Sequence, residues 1–120
     1  MNPLPILDQG PITELLEIGG ANLVHELTRL FYDDTPGLIA EIESAMDSGD
    51  WEALSRASHS LKSSAFYVGA LALSELSREL ETQAKAQAVE PCVELSKLAP
   101  GAFDAARAAL EAMCAELPPS

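Results

Sequence analysis

The three residues Ser48-Gly49-Asp50 constrain this chain more than any other short stretch. They separate two long segments whose apolar residues recur at helical spacing. Gly49 suits the position just past an outgoing helix, where a left-handed backbone is favoured, and Asp50 suits the N-cap of the next helix. So short a connection forces two antiparallel helices to lie side by side. Aromatic residues make up only 5% of the 120 residues, so the core must be built from Leu, Ile, Val and Ala. That mixture favours helix over strand.

The remaining punctuation divides the chain further. Pro3, Pro5 and Gly10 mark residues 1–10 as an extended arm, with Leu4, Ile6 and Leu7 available to cover one end of a bundle. Asp8 as N-cap region and Pro11 in the first turn open a short helix through Ile18, stopped by Gly19-Gly20. A longer helix follows from about Ala21 to Asp47, with Leu23, Leu27, Leu30, Phe31, Leu38, Ile42 and Ala45 on one stripe. Pro36 predicts a kink or short break near Asp33 to Thr35. The next helix runs from Trp51 to about Val68, where Gly69 ends it. Another runs from about Ala70 to Ala86 on Leu73, Leu76 and Leu80. The last, Glu90 to Glu116, uses Leu95, Leu98, Phe103, Leu110 and Met113, and Pro100-Gly101 is expected to bend or split it. Pro118-Pro119 ends the order, so residues 117–120 read as a disordered tail. The expected fold is all-α: an up-down antiparallel four-helix bundle over residues 11–116, with a short additional N-terminal helix.

Charge narrows the function. Nineteen acidic residues against seven basic ones give a net charge of −12, which repels phosphate backbones and anionic membranes. Nucleic acid and membrane are therefore not expected as partners, since both carry the wrong charge. No apolar run is long enough to span a bilayer, and the N-terminus lacks the pattern of a signal peptide, so a cytoplasmic monomer is expected. Cys92 and Cys114 make no metal motif. On one straight helix they stand roughly 33 Å apart, too far for a mutual disulfide.

One side chain stands out chemically. With Trp51 at zero on a helical wheel, Leu54, Ala57, Leu61, Ala65 and Val68 gather at roughly 240–320°. His59 falls at about 80°, on the face turned away from that stripe. Its helical neighbours are Ser55 at i−4, Lys62 at i+3, Ser63 at i+4 and Phe66 at i+7. The serines are small enough to let a bulky partner reach the ring. Lys62 can place an ammonium near new phosphoryl oxygens, and Phe66 offers apolar surface beside them. His25 also lies on the polar side of its helix, so face position alone does not separate the two histidines. Two lone histidines without paired carboxylates do not make a metal site.

The run Ser58 to Ala70, SHSLKSSAFYVGA, resembles the signature of histidine-containing phosphotransfer (HPt) domains. In that family a phosphoryl-accepting histidine is followed by Leu-Lys-Gly-Ser and, later, a Gly-Ala pair. Here the stretch reads His59-Ser60-Leu61-Lys62-Ser63-Ser64, then Gly69-Ala70. The segments Ser48 to Lys62, Leu76 to Glu81 and Ile18 to Pro36 resemble the family too, so the similarity covers roughly Leu7 to Met113. It implies a four-helix phosphorelay module. His59 would exchange a phosphoryl group with the aspartate of a response-regulator receiver domain, and Lys62 would assist electrostatically. Ser64 matches a small polar position of the family. Ser63 departs from it, because glycine usually stands there and leaves space for the partner.

The resemblance also implies partners: receiver domains and a hybrid histidine kinase. The module would not be an enzyme with its own ATP site, and Mg²⁺ would come in the receiver's acidic pocket rather than as an intrinsic cofactor. Ser55, Ser63, Ser64, Phe66, Tyr67 and Arg78 are the candidate partner-binding residues. Two other readings compete. One is a non-catalytic helical binding module that uses Phe66 and Tyr67, with His59 incidental. The other is the phosphoacceptor domain of a chemotaxis-type histidine kinase. Met1 and the Pro-Pro-Ser tail look like a free-standing protein, although an excised piece would look the same.

Overall fold

The computed structural model describes residues 4–119. The expected arm and tail run into residues 1–3 and 120, which lie outside the described residues. Four helices follow in order: α1 (Gln9–Ser48), α2 (Trp51–Tyr67), α3 (Leu71–Lys85) and α4 (Val89–Cys114). Each packs against the next, and α4 returns to α1, closing a four-helix bundle.

Local chemistry sets the boundaries. The Asp8 carboxylate accepts from Gly10 N–H at 3.0 Å and caps α1. Gly20 breaks α1 with φ 69° and ψ −167°, so the short leading helix is present as the first part of a broken α1. Gly49 takes the left-handed conformation at φ 69° and bonds back to the Ala45 and Met46 carbonyls. Asp50 then caps α2 by accepting from Ala53 N–H at 3.0 Å. The predicted three-residue connection thus closes the α1–α2 pair.

Neither proline breaks its helix. Among the described residues of α1, Gly20 is the one with non-helical backbone, and the helix runs through Pro36. It likewise runs through Pro100-Gly101 in α4. Both prolines are exposed, so water can meet the carbonyl that each leaves unpaired one turn upstream. Packing along the rest of the helix then outweighs the one lost hydrogen bond.

The α1 stripe is also displaced from the expected one. Val24, Thr28, Phe31, Thr35, Ile39, Ile42 and Ala45 face the core, while Leu23, Leu27 and Leu38 flank it and Leu30 is exposed. Thr28 tolerates burial because its hydroxyl donates to the Val24 carbonyl at 2.9 Å. In α4 the buried residues are Cys92, Ala99, Phe103, Ala106 and Leu110, and Leu98 lies outside. On the arm, Leu7 packs on the core but Leu4 and Ile6 are exposed. At the other end Leu117 packs against the core as well.

The face of α2 opposite His59 anchors the bundle. Leu54, Leu61 and Ala65 are wholly or almost wholly buried, together with Leu73 and Leu80 of α3. Cutting Leu61 to Ala there would cost about 2–5 kcal/mol. Gly69 makes the α2–α3 turn with φ 75°. Its carbonyl accepts from Asp8 N–H at 2.7 Å, and a Cβ at this position would run into the Asp8 carbonyl oxygen. The arm and the end of α2 are therefore joined at a point where only glycine fits.

Candidate functional site

The core stripe of α2 turns His59 outward, and its side chain is 59% exposed. The adjacent Ser58 is fully buried, with its hydroxyl bonded to the Leu54 carbonyl at 2.7 Å. One residue of rotation thus separates the packed face from the exposed one.

Glu81 of α3 organises the site. It lies in the buried stripe of that helix, among Leu73, Ser77, Leu80 and Ala84. A carboxylate in such a position requires partners. It has three. His59 Nδ1 lies 3.0 Å from Oε2, Lys62 Nζ donates to Oε1 at 2.8 Å, and Lys85 Nζ lies 3.3 Å from Oε2. Burial pushes the Glu81 carboxyl up. The hydrogen bonds from Lys62, Lys85 and His59, with the Lys62 charge, outweigh burial and hold it down at about 2. Glu81 is therefore ionised at neutral pH and can only accept. In the neutral ring the proton on this contact therefore belongs to His59 Nδ1, and Nε2 carries the lone pair.

Sequence reasoning assigned a role to Lys62 and missed Glu81. The signal was present: Glu81 is the one carboxylate at the core spacing of α3, four residues after Ser77 and three before Ala84. Reading it required knowing that α3 faces α2 at the level of His59. A second tie holds the same pair of helices, since the Ser74 hydroxyl donates to the Lys62 carbonyl at 3.2 Å.

The other predicted residues divide between three grooves. Ser55 shares a groove of about 510 Å³ with His59, Glu81, Lys85, Trp51, Arg56 and Gln87. On the opposite side of Lys62, a groove of about 260 Å³ brings together Ser63, Phe66, Tyr67 and Arg78. Phe66 and Tyr67 are 60% and 66% exposed, with ring centroids 6.2 Å apart in an edge arrangement. Arg78 is tied to Glu75 at 2.9 Å. Ser64 is not brought to the imidazole. It lines a third groove, towards α1, with Leu27, Leu30, Tyr67 and Val68.

His25, the other histidine, has a different setting. Its Nε2 is 2.8 Å from the Pro118 carbonyl, so that nitrogen donates and holds the C-terminal end. Among the described residues no three His, Cys, Asp or Glu side chains converge as a metal-ligand set, and no helix is long and apolar enough to cross a membrane.

Comparison with known proteins agrees with this geometry. The Hpt domain model matches residues 26–118. The sensor protein TorS of Escherichia coli is 36% identical over 77 residues, which are 64% of this chain and 8% of that much longer protein. The crystal structure of histidine-containing phosphotransfer protein B from Pseudomonas aeruginosa superposes with a TM-score of 0.86 at 23% identity, covering 95% of this chain and 98% of that one. The X-ray structure of a putative histidine-containing phosphotransfer protein from rice gives 0.78 at 18% identity over 92% and 80% of the two chains. These two structures share the fold, the family model covers most of the sequence, and the chain belongs to the Hpt domain family of phosphorelay phosphotransfer modules.

Proposed function

We propose that this chain carries a phosphoryl group on His59 Nε2 and exchanges it with the aspartate of response-regulator receiver domains. One observation carries the assignment: the ionised Glu81 holds the Nδ1 proton at 3.0 Å, so the exposed ring presents its other nitrogen as the nucleophile.

In the forward step the Nε2 lone pair attacks phosphorus, a P–N bond forms, and the aspartyl P–O bond breaks. The aspartate leaves as a carboxylate on the receiver. The developing positive charge on the ring is stabilised by Glu81 through the Nδ1 proton. Glu81 is in this reading a positioning residue. Lys62, anchored 2.8 Å from Oε1, places its charge beside the phosphoryl oxygens. The receiver's acidic pocket supplies Mg²⁺, which offsets charge on the transferring group. The module needs no ATP site of its own for this half of the reaction.

The docking surface is asymmetric. Phe66 and Tyr67 offer apolar area with low side-chain entropy, and Ser63 and Arg78 line the groove beneath them. Ser55 borders the imidazole on the opposite side. Ser64 contributes to the edge nearest α1 if the receiver extends that far. A hybrid histidine kinase in the cytoplasm is the proposed upstream source, and the chain acts as a monomer in the relay.

The test is transfer from a phosphorylated receiver of the source organism. Acid-labile, base-stable label should appear on the wild-type chain and be absent from His59→Ala. Label that persists in His59→Ala would move the site elsewhere.

A further inference from the structure

Lys85 closes α3 in its last turn and reaches back to the site. Its Nζ is 3.3 Å from Glu81 Oε2, the same oxygen that takes the His59 proton. Lys62 already satisfies the other oxygen at 2.8 Å. Two ammonium groups thus face one carboxylate, and with a neutral imidazole the cluster holds a surplus positive charge. This occurs in a chain whose net charge is −12. The surplus is not needed to satisfy Glu81, which has one strong donor on each oxygen without Lys85.

The two lysines differ in freedom. The Lys62 side chain is 29% exposed and pinned between α2 and α3. The Lys85 side chain is 66% exposed, and ion pairs at such positions are weak and readily exchanged. Lys85 also borders the 510 Å³ groove that opens beside His59, with Ser55, Arg56 and Gln87. Arg56 is engaged only loosely, 3.7 Å from Glu52 on its own helix. The groove therefore sets two cations, Lys85 and Arg56, and the neutral donors Ser55 and Gln87 beside the nucleophile, against the carboxylates of Glu52 and Glu81.

A phosphoryl group brings roughly −1.5 to −2 charges to this surplus. It also sets a second anion beside Glu81, which weakens the hold of Glu81 on any mobile cation. We propose that Lys85 is a second cation for phosphorylated His59, leaving Glu81 Oε2 and pairing with the phosphoryl oxygens from the Ser55 side. Lys62 then stays on Glu81 and the phosphoryl group together, and Lys85 closes the groove face. The phosphorylated state is stabilised by a residue that the free state holds in reserve. This inference rests on His59 being the phosphorylated residue.

Phosphoramidate, a small phosphoryl donor, tests it without a partner protein. The ³¹P resonance of phosphorylated His59 is followed against pH in the wild type, Lys85→Gln and Lys85→Arg, with His59→Ala identifying the signal. Loss of a nearby cation should raise the phosphoryl group's second pKa in Lys85→Gln by about half a unit, and arginine should restore it. Added salt should shrink the difference. A titration identical in wild type and Lys85→Gln would overturn the proposal. No signal assignable to His59 would instead overturn the reading on which it rests. Lys85 is exposed and outside the core, so all variants should fold, and circular dichroism checks this.

Discussion

His59 Nδ1 and Glu81 Oε2 face each other at 3.0 Å across the α2–α3 interface. Because the carboxylate is ionised, this contact selects the ring tautomer with the proton on Nδ1. Nitrogen-15 spectra of the unphosphorylated protein above neutral pH should show a protonated Nδ1 and a bare Nε2 at His59. In Glu81→Ala the ring should lose that bias. A wild-type ring with its proton on Nε2 would contradict the arrangement.

The same carboxylate predicts an acid limb in stability. Its folded pKa, about 2, lies below the ordinary value of 4.5. The unfolded chain therefore binds the proton first. The stabilisation is complete above about pH 4.5 and is lost as pH falls towards 2. Urea midpoints measured across that range should fall less steeply in Glu81→Gln than in the wild type. Parallel curves would show that Glu81 does not contribute.

How much of this was legible in the sequence depends on the residue. The Ser48-Gly49-Asp50 turn, the break at Gly19-Gly20 and the orientation of His59 follow from local chemistry, and each stands where local rules put it. Pro36 and Pro100 do not split their helices, because the packing of the whole helix outweighs the local cost of one hydrogen bond. Phe31, Ile42 and Ala45 of the expected α1 stripe are buried, but the stripe is centred to one side of the leucines, and Thr28 and Thr35 take buried positions that apolar spacing does not mark. For Glu81 the core spacing is legible in α3, but the role is not. Its role depends on the register of α3 against α2, which no single-helix pattern contains.

The glycines with left-handed backbone should respond unequally to substitution. Gly49→Ala meets open space and should cost about 1 kcal/mol for the positive φ alone. Gly69→Ala adds a collision with the Asp8 carbonyl and should cost about 2–4 kcal/mol. Chemical denaturation with unchanged m-values would measure both. Equal losses would mean that the arm yields without resistance.

Phe66 and Tyr67 are exposed, so replacing both with serine should leave stability within about 0.5 kcal/mol of the wild type. If they anchor the receiver, its affinity should drop by about tenfold or more. Titration calorimetry with a receiver domain separates the two effects. Unchanged affinity would remove this surface from the interface.

Ser63 lines the groove with Phe66 and Tyr67 where the family usually has glycine. Glycine there should loosen α2 by about 0.5 kcal/mol, since glycine is the poorer helix former. It should also widen the approach to His59 and speed transfer. Stopped-flow transfer rates in Ser63→Gly check the second expectation, and a slower variant would show that the hydroxyl assists rather than crowds.

The central claim is that His59 Nε2 takes the phosphoryl group. The most direct measurement is nitrogen-15 and phosphorus-31 NMR of the chain after phosphorylation by a receiver domain. The expected result is a P–N coupling at Nε2 of His59, with the Nδ1 proton retained opposite Glu81. Coupling at Nδ1, or a phosphoryl group on any other residue, would contradict it.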